Sequence, residues 1–471
     1  MSEMETMLES KEAAAGSGRF LNTGDGNCLQ IIDLRHPVYV AAIEPDTAFW
    51  TLIEKGHLAQ ALSSGEIAGK LKKHFRKMSE EMETLRFGLT PSAVYFNPTE
   101  QCNLNCTYCY IPEARRLNGR HMTWAQMEKA LRVLRDHFAA TMPRGTRKPQ
   151  IVFHGSEPLM NKGAVFRAIE EYAGEFDFGI QTNATLLEQE DFRFIVSHNV
   201  ALGVSLDGHT RAVADRHRKN WAGNGTFRKV VKAVEMCRDY PLFNVICTVT
   251  SQNVRSLVRI VEFFHGLGLQ NCLVNQVRCT LEGGRAAKPS DREMARMFIA
   301  ALDRTFELYR ETGRKLVIGN FANILLGIVA PTARRLMCDI SPCGGGRCFF
   351  AVSAEGDVYP CSEFIGLPRF KGGNLFEDGL PAILASEPFK VVTSRKVENI
   401  TPCSRCAIRH FCGAPCPAEA YQAHGSMEGR GAFCEFYEDQ VRYAMRLIAD
   451  GRESAYLWDN WDRDTKEMFR L

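Results

Sequence analysis

Three cysteines lie close together directly after a run of apolar residues that is typical of a β-strand. Three intervening residues separate Cys102 from Cys106, and two separate Cys106 from Cys109. Three thiolates give a metal cluster three soft ligands and leave one coordination position without a protein donor. A structural zinc site is the alternative, but it requires four ligands, and no fourth Cys or His lies nearby in the sequence. The spacing therefore indicates a metal cluster with an open position, where a small molecule can bind and be activated.

A second group of cysteines lies toward the carboxyl end of the chain, where glycine and proline are also frequent. Its members are Cys338, Cys343, Cys348, Cys361, Cys403, Cys406, Cys412, Cys416 and Cys434. These thiols are enough for two sites of four thiolates each, with one thiol left over. Two zinc ions and two iron–sulfur clusters fit that number equally well. The sequence therefore predicts a metal-stabilised region here.

The composition excludes several classes of protein. The chain has 471 residues, of which 45% are hydrophobic and 24% charged, as expected for a globular protein of about three domains. Its net charge of +3 gives no reason to expect a nucleic acid or an anionic membrane as a partner. The amino terminus lacks a signal peptide, and the longest apolar run, near residues 321–330, is too short to span a membrane. We therefore expect a cytoplasmic protein whose clustered cysteines bind metal.

Strand-like and helix-like segments alternate between residue 92 and about residue 312. The strand-like runs are 93–96, 151–153, 178–180, 202–204, 245–249 and 272–274. Amphipathic segments lie between them, and Thr123 with Gln126 forms a capping box for the first helix. Such strand–helix units predict an α/β fold whose parallel sheet is closed or partly closed, as a partial (β/α)6 TIM-like barrel.

Polar motifs follow four of these strands in succession. They are Asn97 with the cysteine loop, His154–Pro158, Gln181–Asn183 and Ser205–Gly208. Each alone is compatible with ordinary turn chemistry. The carboxyl ends of parallel barrel strands form one rim, however, and barrel enzymes carry their active sites there. The four motifs therefore predict an active site on the rim beside the cysteine loop.

The other parts of the chain predict smaller units around this barrel. Residues 1–18 have the composition of a disordered tail, and residues 19–90 predict a small α+β module with an amphipathic helix over 67–85. That module is either a solvated accessory domain or a unit that binds a peptide by adding a strand. After Arg314 the strand–helix alternation is expected to stop. We expect the barrel over 91–314, the cysteine-rich domain over 315–440, and a helix with a tail over 441–471.

Together these motifs resemble a known family, the radical S-adenosylmethionine (radical SAM) enzymes that carry a SPASM domain and mature peptides or proteins. The cysteine loop resembles the family's CxxxCxxC motif, and Tyr108 is its aromatic residue before the third cysteine. The turn Gly155–Pro158 resembles the family's Gly-Gly-Glu-Pro turn, with Ser156 in place of the second glycine. The segments Cys343–Gly346 and Gly356–Cys361 resemble the SPASM opening, which the later cysteines complete.

The resemblance implies a [4Fe–4S] cluster on the three-cysteine loop, with its fourth iron chelated by the amine and carboxylate of S-adenosylmethionine. An electron entering that cluster cleaves the sulfonium and yields a 5′-deoxyadenosyl radical, which removes a hydrogen atom from the substrate. The cofactor contacts that the resemblance implies are Glu157 to the amine, Ser205 and Arg218 to the carboxylate, Asn183 to the ribose and Tyr108 to the adenine. Arg216 is a rival to Arg218, because their loop aligns ambiguously.

The resemblance also implies two auxiliary [4Fe–4S] clusters, and hence three clusters in all. One is bound by Cys343, Cys348, Cys361 and Cys416, and the other by Cys403, Cys406, Cys412 and Cys434. Cys338 is left over and is expected to be buried, although it can also replace Cys348 or act as a redox thiol. Core filling is expected for Cys28, Cys237, Cys247, Cys272 and Cys279, with a substrate contact as the alternative for Cys272 and Cys279 near the rim.

The resemblance also bears on the reaction. Sulfatase maturases use an aspartate directly after the cysteine of a Pro-Cys pair, whereas Ser362 and then Glu363 follow Cys361 here. We therefore predict a cysteine-derived thioether cross-link in a ribosomally synthesised precursor peptide, with residues 19–90 resembling a leader-peptide-binding module. A sulfatase-type or other protein maturase is one alternative, and a zinc-stabilised binding protein is the other. A flavodoxin or ferredoxin is the expected electron donor.

Overall fold

The computed structural model describes residues 19–22, 28–58, 60, 66–143, 145, 147–459 and 461. The predicted tail over residues 1–18 lies outside this part. The strands are β1 Arg19–Asn22, β2 Cys28–Asp33, β3 Tyr39–Ile43, β4 Trp50–Glu54, β5 Ala93–Phe96, β6 Gln150–Phe153, β7 Asp177–Thr182, β8 Ala201–Ser205, β9 Phe243–Val249, β10 Asn271–Gln276, β11 Val317–Ile318, β12 Phe349–Val352, β13 Asp357–Tyr359 and β14 Gly373–Asn374.

The α-helices alternate with these strands in the middle of the chain and continue after them, and short 3-10 turns connect several elements. They are α1 Glu66–Phe87, α2 Glu113–Asn118, α3 Trp124–Thr141, α4 Lys162–Tyr172, α5 Gln189–Ser197, α6 Arg211–Ala214, α7 Phe227–Cys237, α8 Leu257–Gly266, α9 Glu282–Ala286, α10 Asp291–Thr312, α11 Gly319–Val329, α12 Leu380–Leu384, α13 Glu387–Thr393, α14 Arg409–Cys412, α15 Pro417–His424 and α16 Cys434–Ala449.

The main sheet contains the strands that the sequence predicts. Its order is β11-β10-β9-β8-β7-β6-β5-β12-β13-β14, and every neighbouring pair from β12 through β5 to β11 is parallel. All six predicted strand-like runs lie within β5 to β10. Among the described residues the two end strands, β11 and β14, do not pair with each other. The sheet is therefore a partial barrel, as predicted.

Side chains alternate between the two faces of these strands. In β9, Val245 and Cys247 are buried, whereas Asn244, Ile246 and Thr248 line an internal cavity. The helices pack their apolar stripes against the other face of the sheet. Helix α3, for example, begins at the predicted capping box of Thr123 and Gln126. Its buried residues are Met127, Ala130, Leu131, Leu134 and Phe138.

Two predictions about the end of the barrel were wrong or incomplete. The strand–helix alternation does not stop after Arg314, because β11 pairs in parallel with β10 and is followed by α11. A two-residue strand is too short to show a period, and a helix that is apolar on all sides has no amphipathic stripe to recognise. The cysteine-rich region also continues the main sheet, since β12 pairs in parallel with β5.

The amino-terminal module is a four-stranded antiparallel sheet in the order β1-β2-β3-β4, with α1 packed on it. The predicted amphipathic helix is thus confirmed. The module has a small core of its own, which contains Leu29, Ile31, Val40, Ala42, Phe49 and Phe75. Trp50 anchors the module by donating its indole N–H to the carbonyl of Ile328 at 2.8 Å. The module is therefore fixed against α11.

Strand β4 is an edge strand with one side open. The amide of Lys55 donates to Val38 at 2.8 Å, and the carbonyl of Phe49 accepts from Glu44 at 2.8 Å. Since hydrogen bonding alternates along an antiparallel pair, the intervening odd-numbered residues also face β3. The backbone groups of Trp50, Leu52 and Glu54 therefore point away from β3, and no described strand pairs with them.

Within the described part of the chain, no helix is long and apolar enough to cross a membrane.

Candidate functional site

One internal cavity of about 420 Å³ joins the two groups of cysteines. It opens between the strands of the partial barrel and extends to the rim formed by their carboxyl ends. All three cysteines of the first group line it, and so do Cys338, Cys343, Cys361 and Cys416 of the second. The structure thus brings together residues that lie more than three hundred positions apart in the sequence.

Residues outside the cysteine loop hold its backbone. Arg116 of α2 is buried and donates to the carbonyl of Leu104 at 3.2 Å and to Asn105 Oδ1 at 2.9 Å. The indole N–H of Trp221 donates to the carbonyl of Cys102 at 2.8 Å. Burial raises the pKa of Cys102 to about 12, so in the metal-free chain this thiol keeps its proton at neutral pH. The loop is therefore positioned by the fold before any metal binds.

A buried network beside the loop contains Arg218, Asp207 and Tyr108. Arg218 Nη1 donates to the Tyr108 hydroxyl at 2.8 Å and lies 3.5 Å from Asp207 Oδ2, to which the Tyr108 hydroxyl also donates. The amide of Thr248 donates to Asp207 Oδ1 at 2.9 Å. No individual role was predicted for Asp207, which positions both Arg218 and Tyr108. Arg218 Nε is buried without a hydrogen-bond partner among the described atoms, so this guanidinium keeps a donor for an anionic ligand.

The geometry separates the two rival arginines. Arg218 is buried and lines the cavity. Arg216 is exposed, and its Nη1 donates to the carbonyl of Gln252 at 3.0 Å, away from the cavity lining. Only Arg218 of the two is placed to meet the carboxylate of a bound cofactor.

Glu157 is fully buried and does not line the cavity. Its Oε1 accepts from Thr182 Oγ1 at 2.7 Å, and its Oε2 accepts from the amide of Asn183 at 2.8 Å. Asn183 in turn donates from Nδ2 to Asn103 Oδ1 at 2.8 Å, which connects the end of β7 to the cysteine loop. In this structure Glu157 positions Asn183, while its contact with the methionine amine stays a prediction.

The departure at Ser156 from the family's turn is accommodated locally. Its hydroxyl donates to the carbonyl of Glu100 at 2.5 Å, so the polar atom has a partner. The preceding Gly155 has a φ of +104°, and a Cβ there would lie 2.4 Å from the side chain of Asn97. Only the first position of the turn therefore requires glycine. Ser205, at the end of β8, lines the cavity. Its contact with the cofactor carboxylate stays a prediction.

The cavity lining differs by one cysteine from the ligand set predicted for the inner auxiliary cluster. Cys338 was expected to be buried, but it is exposed to the cavity beside Cys343, Cys361 and Cys416. Cys348 is only 4% exposed and does not line the cavity. Burial raises the pKa of the Cys361 thiol, and the neighbouring Glu363, Cys416 and Cys338 raise it further. Cys338, and not Cys348, therefore lines the cavity together with Cys343, Cys361 and Cys416.

The remaining four cysteines lie together outside the cavity. Burial raises the pKa of Cys412, and the neighbouring Cys406, Cys434 and Cys403 raise it further. The guanidinium of Arg395 lies within electrostatic reach of this set and of Cys416 in the cavity set. Among the described residues, no three His, Cys, Asp or Glu side chains converge on a single metal ion.

Several polar groups on the cavity wall have no individual role predicted from the sequence. Arg278 Nε lies 3.4 Å from Glu363 Oε1, and Arg278 Nη1 lies 3.6 Å from the buried Glu419. Burial raises the pKa of Glu363 to about 7. Glu363 Oε2, the hydroxyl of Tyr110 and Nδ1 of His154 are buried without a hydrogen-bond partner among the described atoms. This wall can therefore receive polar groups of a substrate. No sequence period marks it, because its members come from four separate loops and strands.

The scattered cysteines behave as core residues. Cys237, Cys247, Cys272 and Cys279 are buried, and none of them lines the cavity. Core filling is thus confirmed for these four, and the alternative of a substrate contact for Cys272 and Cys279 is not supported. The side chain of Cys28 lies outside the described part of the structure.

Comparison with family models finds two matches along the chain. Residues 96–264 match the Radical SAM superfamily, and residues 343–407 match SPASM, an iron-sulfur cluster-binding domain. An uncharacterized protein of Archaeoglobus fulgidus is 40% identical over 409 residues, which is 87% of this chain and 92% of that protein. A cysteine-type anaerobic sulfatase-maturating enzyme of Clostridium perfringens is 24% identical over 76% of this chain and 98% of its own.

Two groups of solved structures share the fold. Native anSMEcpe with bound AdoMet and the Cp18Cys peptide superposes with a TM-score of 0.65 at 20% identity, covering 77% of this chain and 99% of that one. SuiB of Streptococcus suis bound to the precursor peptide SuiA gives a TM-score of 0.56 at 14% identity, covering 86% of this chain and 99% of that one.

Proposed function

The chain belongs to the radical SAM superfamily and carries a SPASM iron–sulfur domain, and from this premise we propose that it forms a thioether cross-link in a ribosomally synthesised precursor peptide. It is an enzyme that uses S-adenosylmethionine and iron–sulfur clusters and acts on a peptide or protein. When bound, these cofactors supply reductive cleavage of the sulfonium and removal of one substrate hydrogen atom. The protein supplies binding, orientation and a cavity that limits access of water.

We assign three [4Fe–4S] clusters to the cysteines. Cys102, Cys106 and Cys109 bind the first, with S-adenosylmethionine at the open iron. The auxiliary cluster beside the cavity is bound by Cys338, Cys343, Cys361 and Cys416, and the outer one by Cys403, Cys406, Cys412 and Cys434. Arg218 binds the cofactor carboxylate, with support from Asp207 and Tyr108. Asn183 and Ser205 complete the cofactor wall.

The joint cavity supports an oxidation that removes two hydrogen atoms. A thioether forms when a cysteine sulfur bonds to a carbon, and both S–H and C–H are lost. One hydrogen leaves as an atom taken by the radical derived from S-adenosylmethionine. The other would leave as a proton to a base and as an electron to a cluster, and Cys338, Cys343, Cys361 and Cys416, which line the same cavity, would hold that cluster.

The observation that carries the choice of a precursor peptide is the open edge of β4. Three outward-facing backbone positions on this strand, at Trp50, Leu52 and Glu54, are available to a peptide that adds a strand. The match to the sulfatase-maturating enzyme of Clostridium perfringens covers 98% of that enzyme but only 76% of this chain. An additional module of this kind suits recognition of a leader segment, and SuiB is a structural neighbour recorded with its precursor peptide.

A second candidate function is supported by Glu363. Ser362 replaces the aspartate of sulfatase maturases, but the next residue places a carboxylate oxygen without a partner at the cavity wall. That carboxylate can accept the proton lost when a serine or cysteine side chain of a protein is oxidised to formylglycine. The 24% identity to sulfatase-maturating enzymes agrees with this alternative.

Mass spectrometry of co-expressed substrates separates the candidates. A small peptide encoded beside this protein is co-expressed with it, and a sulfatase with an unmodified active-site motif is tested in parallel. A thioether removes two hydrogen atoms and one alkylatable thiol. Oxidation of serine to formylglycine also removes two hydrogen atoms, but it leaves the thiols and creates an aldehyde that reacts with hydrazide. An unaltered peptide together with an aldehyde on the sulfatase would favour the second candidate.

A further inference from the structure

The outer surface of the cysteine loop carries a second, open depression of about 450 Å³. Its lining includes Cys102, Arg116, Leu117 and Trp221. Cys102 lines both this depression and the internal cavity. The loop that binds the first cluster therefore forms a thin wall between the protein surface and the cofactor site.

Direct hydrogen bonds connect the floor of the depression to a cluster ligand. The indole N–H of Trp221 donates to the carbonyl of Cys102 at 2.8 Å, and the amide of Cys102 donates to the carbonyl of Arg116 at 2.9 Å. The guanidinium of Arg116 lies 5.5 Å from the centre of the Trp221 ring. The backbone of the cysteine loop therefore lies between a molecule bound in this depression and the site of the first cluster.

The surface around the depression combines an apolar centre with positive charge. Leu117 is 51% exposed and lines the depression. Arg120 and Lys219 flank the lining residues and form no ion pair with any described residue. The neighbouring Arg115 is neutralised by Glu100 at 2.6 Å, and Glu113 is an exposed carboxylate on the same short helix. Outside the Arg115–Glu100 ion pair, Arg120 and Lys219 thus outnumber the carboxylate of Glu113 on this surface.

We propose that this depression is the docking surface for the protein that reduces the first cluster, an acidic redox protein with a one-electron carrier close to its own surface. The proposal rests on the proposed radical SAM function, which consumes an electron from outside. In each transfer the donor loses one electron and the cluster gains it. A folded redox protein cannot enter the internal cavity of about 420 Å³. Charge complementarity favours an acidic partner on the outer face.

The test uses the cluster-loaded enzyme and an acidic flavodoxin with its NADPH-dependent reductase. Binding of oxidised flavodoxin at low ionic strength is measured by calorimetry for the parent protein and for Arg120→Glu/Lys219→Glu and Leu117→Glu. Both variants should weaken binding roughly tenfold, because each removes or reverses a complementary contact. Arg296→Glu/Lys390→Glu, which reverses two exposed charges elsewhere, should leave the affinity within about twofold. All variants are compared at the iron content of the parent.

Cleavage of S-adenosylmethionine gives the second readout. With dithionite, a small reductant that needs no docking surface, the variants should match the parent. With flavodoxin and NADPH, the two depression variants should be slower roughly in proportion to their weaker binding. The proposal is wrong if flavodoxin does not bind the parent or binds the depression variants as tightly as the parent. It is also wrong if Arg296→Glu/Lys390→Glu weakens flavodoxin binding as much as the depression variants do. Absence of dithionite-driven cleavage in the parent would instead refute the proposed function itself.

Discussion

The Arg218 guanidinium donates a hydrogen bond to the Tyr108 hydroxyl at 2.8 Å, which joins the loop after β8 to the cysteine loop after β5. Asp207 holds both groups, and burial raises the pKa of Tyr108 well above its usual range, so the phenol stays protonated. The arginine is thereby fixed at the cavity wall with a free donor. A ligand carboxylate would complete its hydrogen bonding without reorganisation of the protein.

Replacement of Arg218 by glutamine should weaken the binding of S-adenosylmethionine to the cluster-loaded enzyme. A hydrogen bond to a charged group is worth about 1.5–3 kcal/mol, so the dissociation constant should rise roughly ten- to hundredfold. Arg216→Gln is the matched control, because its guanidinium is exposed and contacts only a backbone carbonyl. Equilibrium dialysis with labelled cofactor measures both. A larger effect of Arg216→Gln would reverse the assignment.

Iron analysis should distinguish Cys338 from Cys348 as the fourth ligand of the auxiliary cluster beside the cavity. In a background in which Cys102, Cys106 and Cys109 are alanine, two auxiliary clusters should give about eight irons per chain. Cys338→Ala should lower this value to about four, whereas Cys348→Ala should leave it near eight, because of these two thiols only Cys338 lines the cavity with the other proposed ligands. The opposite pattern would restore Cys348 to the site.

The stability of the metal-free chain should fall at high pH. Burial raises the pKa of Cys102 to about 12 and that of Cys106 to about 11, above the ordinary value of 9.0. A thiol whose pKa is raised by folding contributes stability that is fully present below its unfolded pKa and is lost as the pH rises through the folded value. Urea unfolding of the metal-free protein should therefore show a decline from about pH 9 to 12.

A variant lacking these two titrations provides the control for the pH effect. Cys102→Ala/Cys106→Ala should show a shallower decline over the same range, since fewer buried thiols have to ionise. Metal loading has the related requirement that ligands lose their protons, so chemical reconstitution of the clusters should proceed faster near pH 9 than near pH 7. An equal decline in the parent and the double variant would show that other groups control the alkaline transition.

Proline at position 52 should impair recognition of a leader peptide without breaking the sheet. The amide of Leu52 faces away from β3, so proline removes a donor on the open edge and leaves the β3–β4 hydrogen bonds intact. Leu52→Ala is the control for lost side-chain packing. In fluorescence anisotropy with a labelled precursor peptide, Leu52→Pro should bind at least several-fold more weakly than Leu52→Ala. Equal binding by the two variants would exclude strand addition at this edge.

Local patterns in the sequence were enough to predict a large part of this protein. The spacing of Cys102, Cys106 and Cys109 and the runs that became β5 to β10 depend on neighbours in the chain, and both follow from ligand geometry and strand periodicity. The residues predicted at the strand ends also lie at the site, because parallel strands bring their carboxyl ends to one rim. Position in the chain therefore determined which segments carry the chemistry.

The tertiary structure decided which side chains in those segments face the cavity. Arg216 and Arg218 are two residues apart, and local sequence does not distinguish them. Arg218 faces the cavity because it contacts Tyr108 and Asp207. Cys338 and Cys348 likewise flank the same turn, and their exposure depends on how the cysteine-rich region joins the sheet through β12. Side-chain direction arises from contacts between residues distant in the chain, and no local spacing records it.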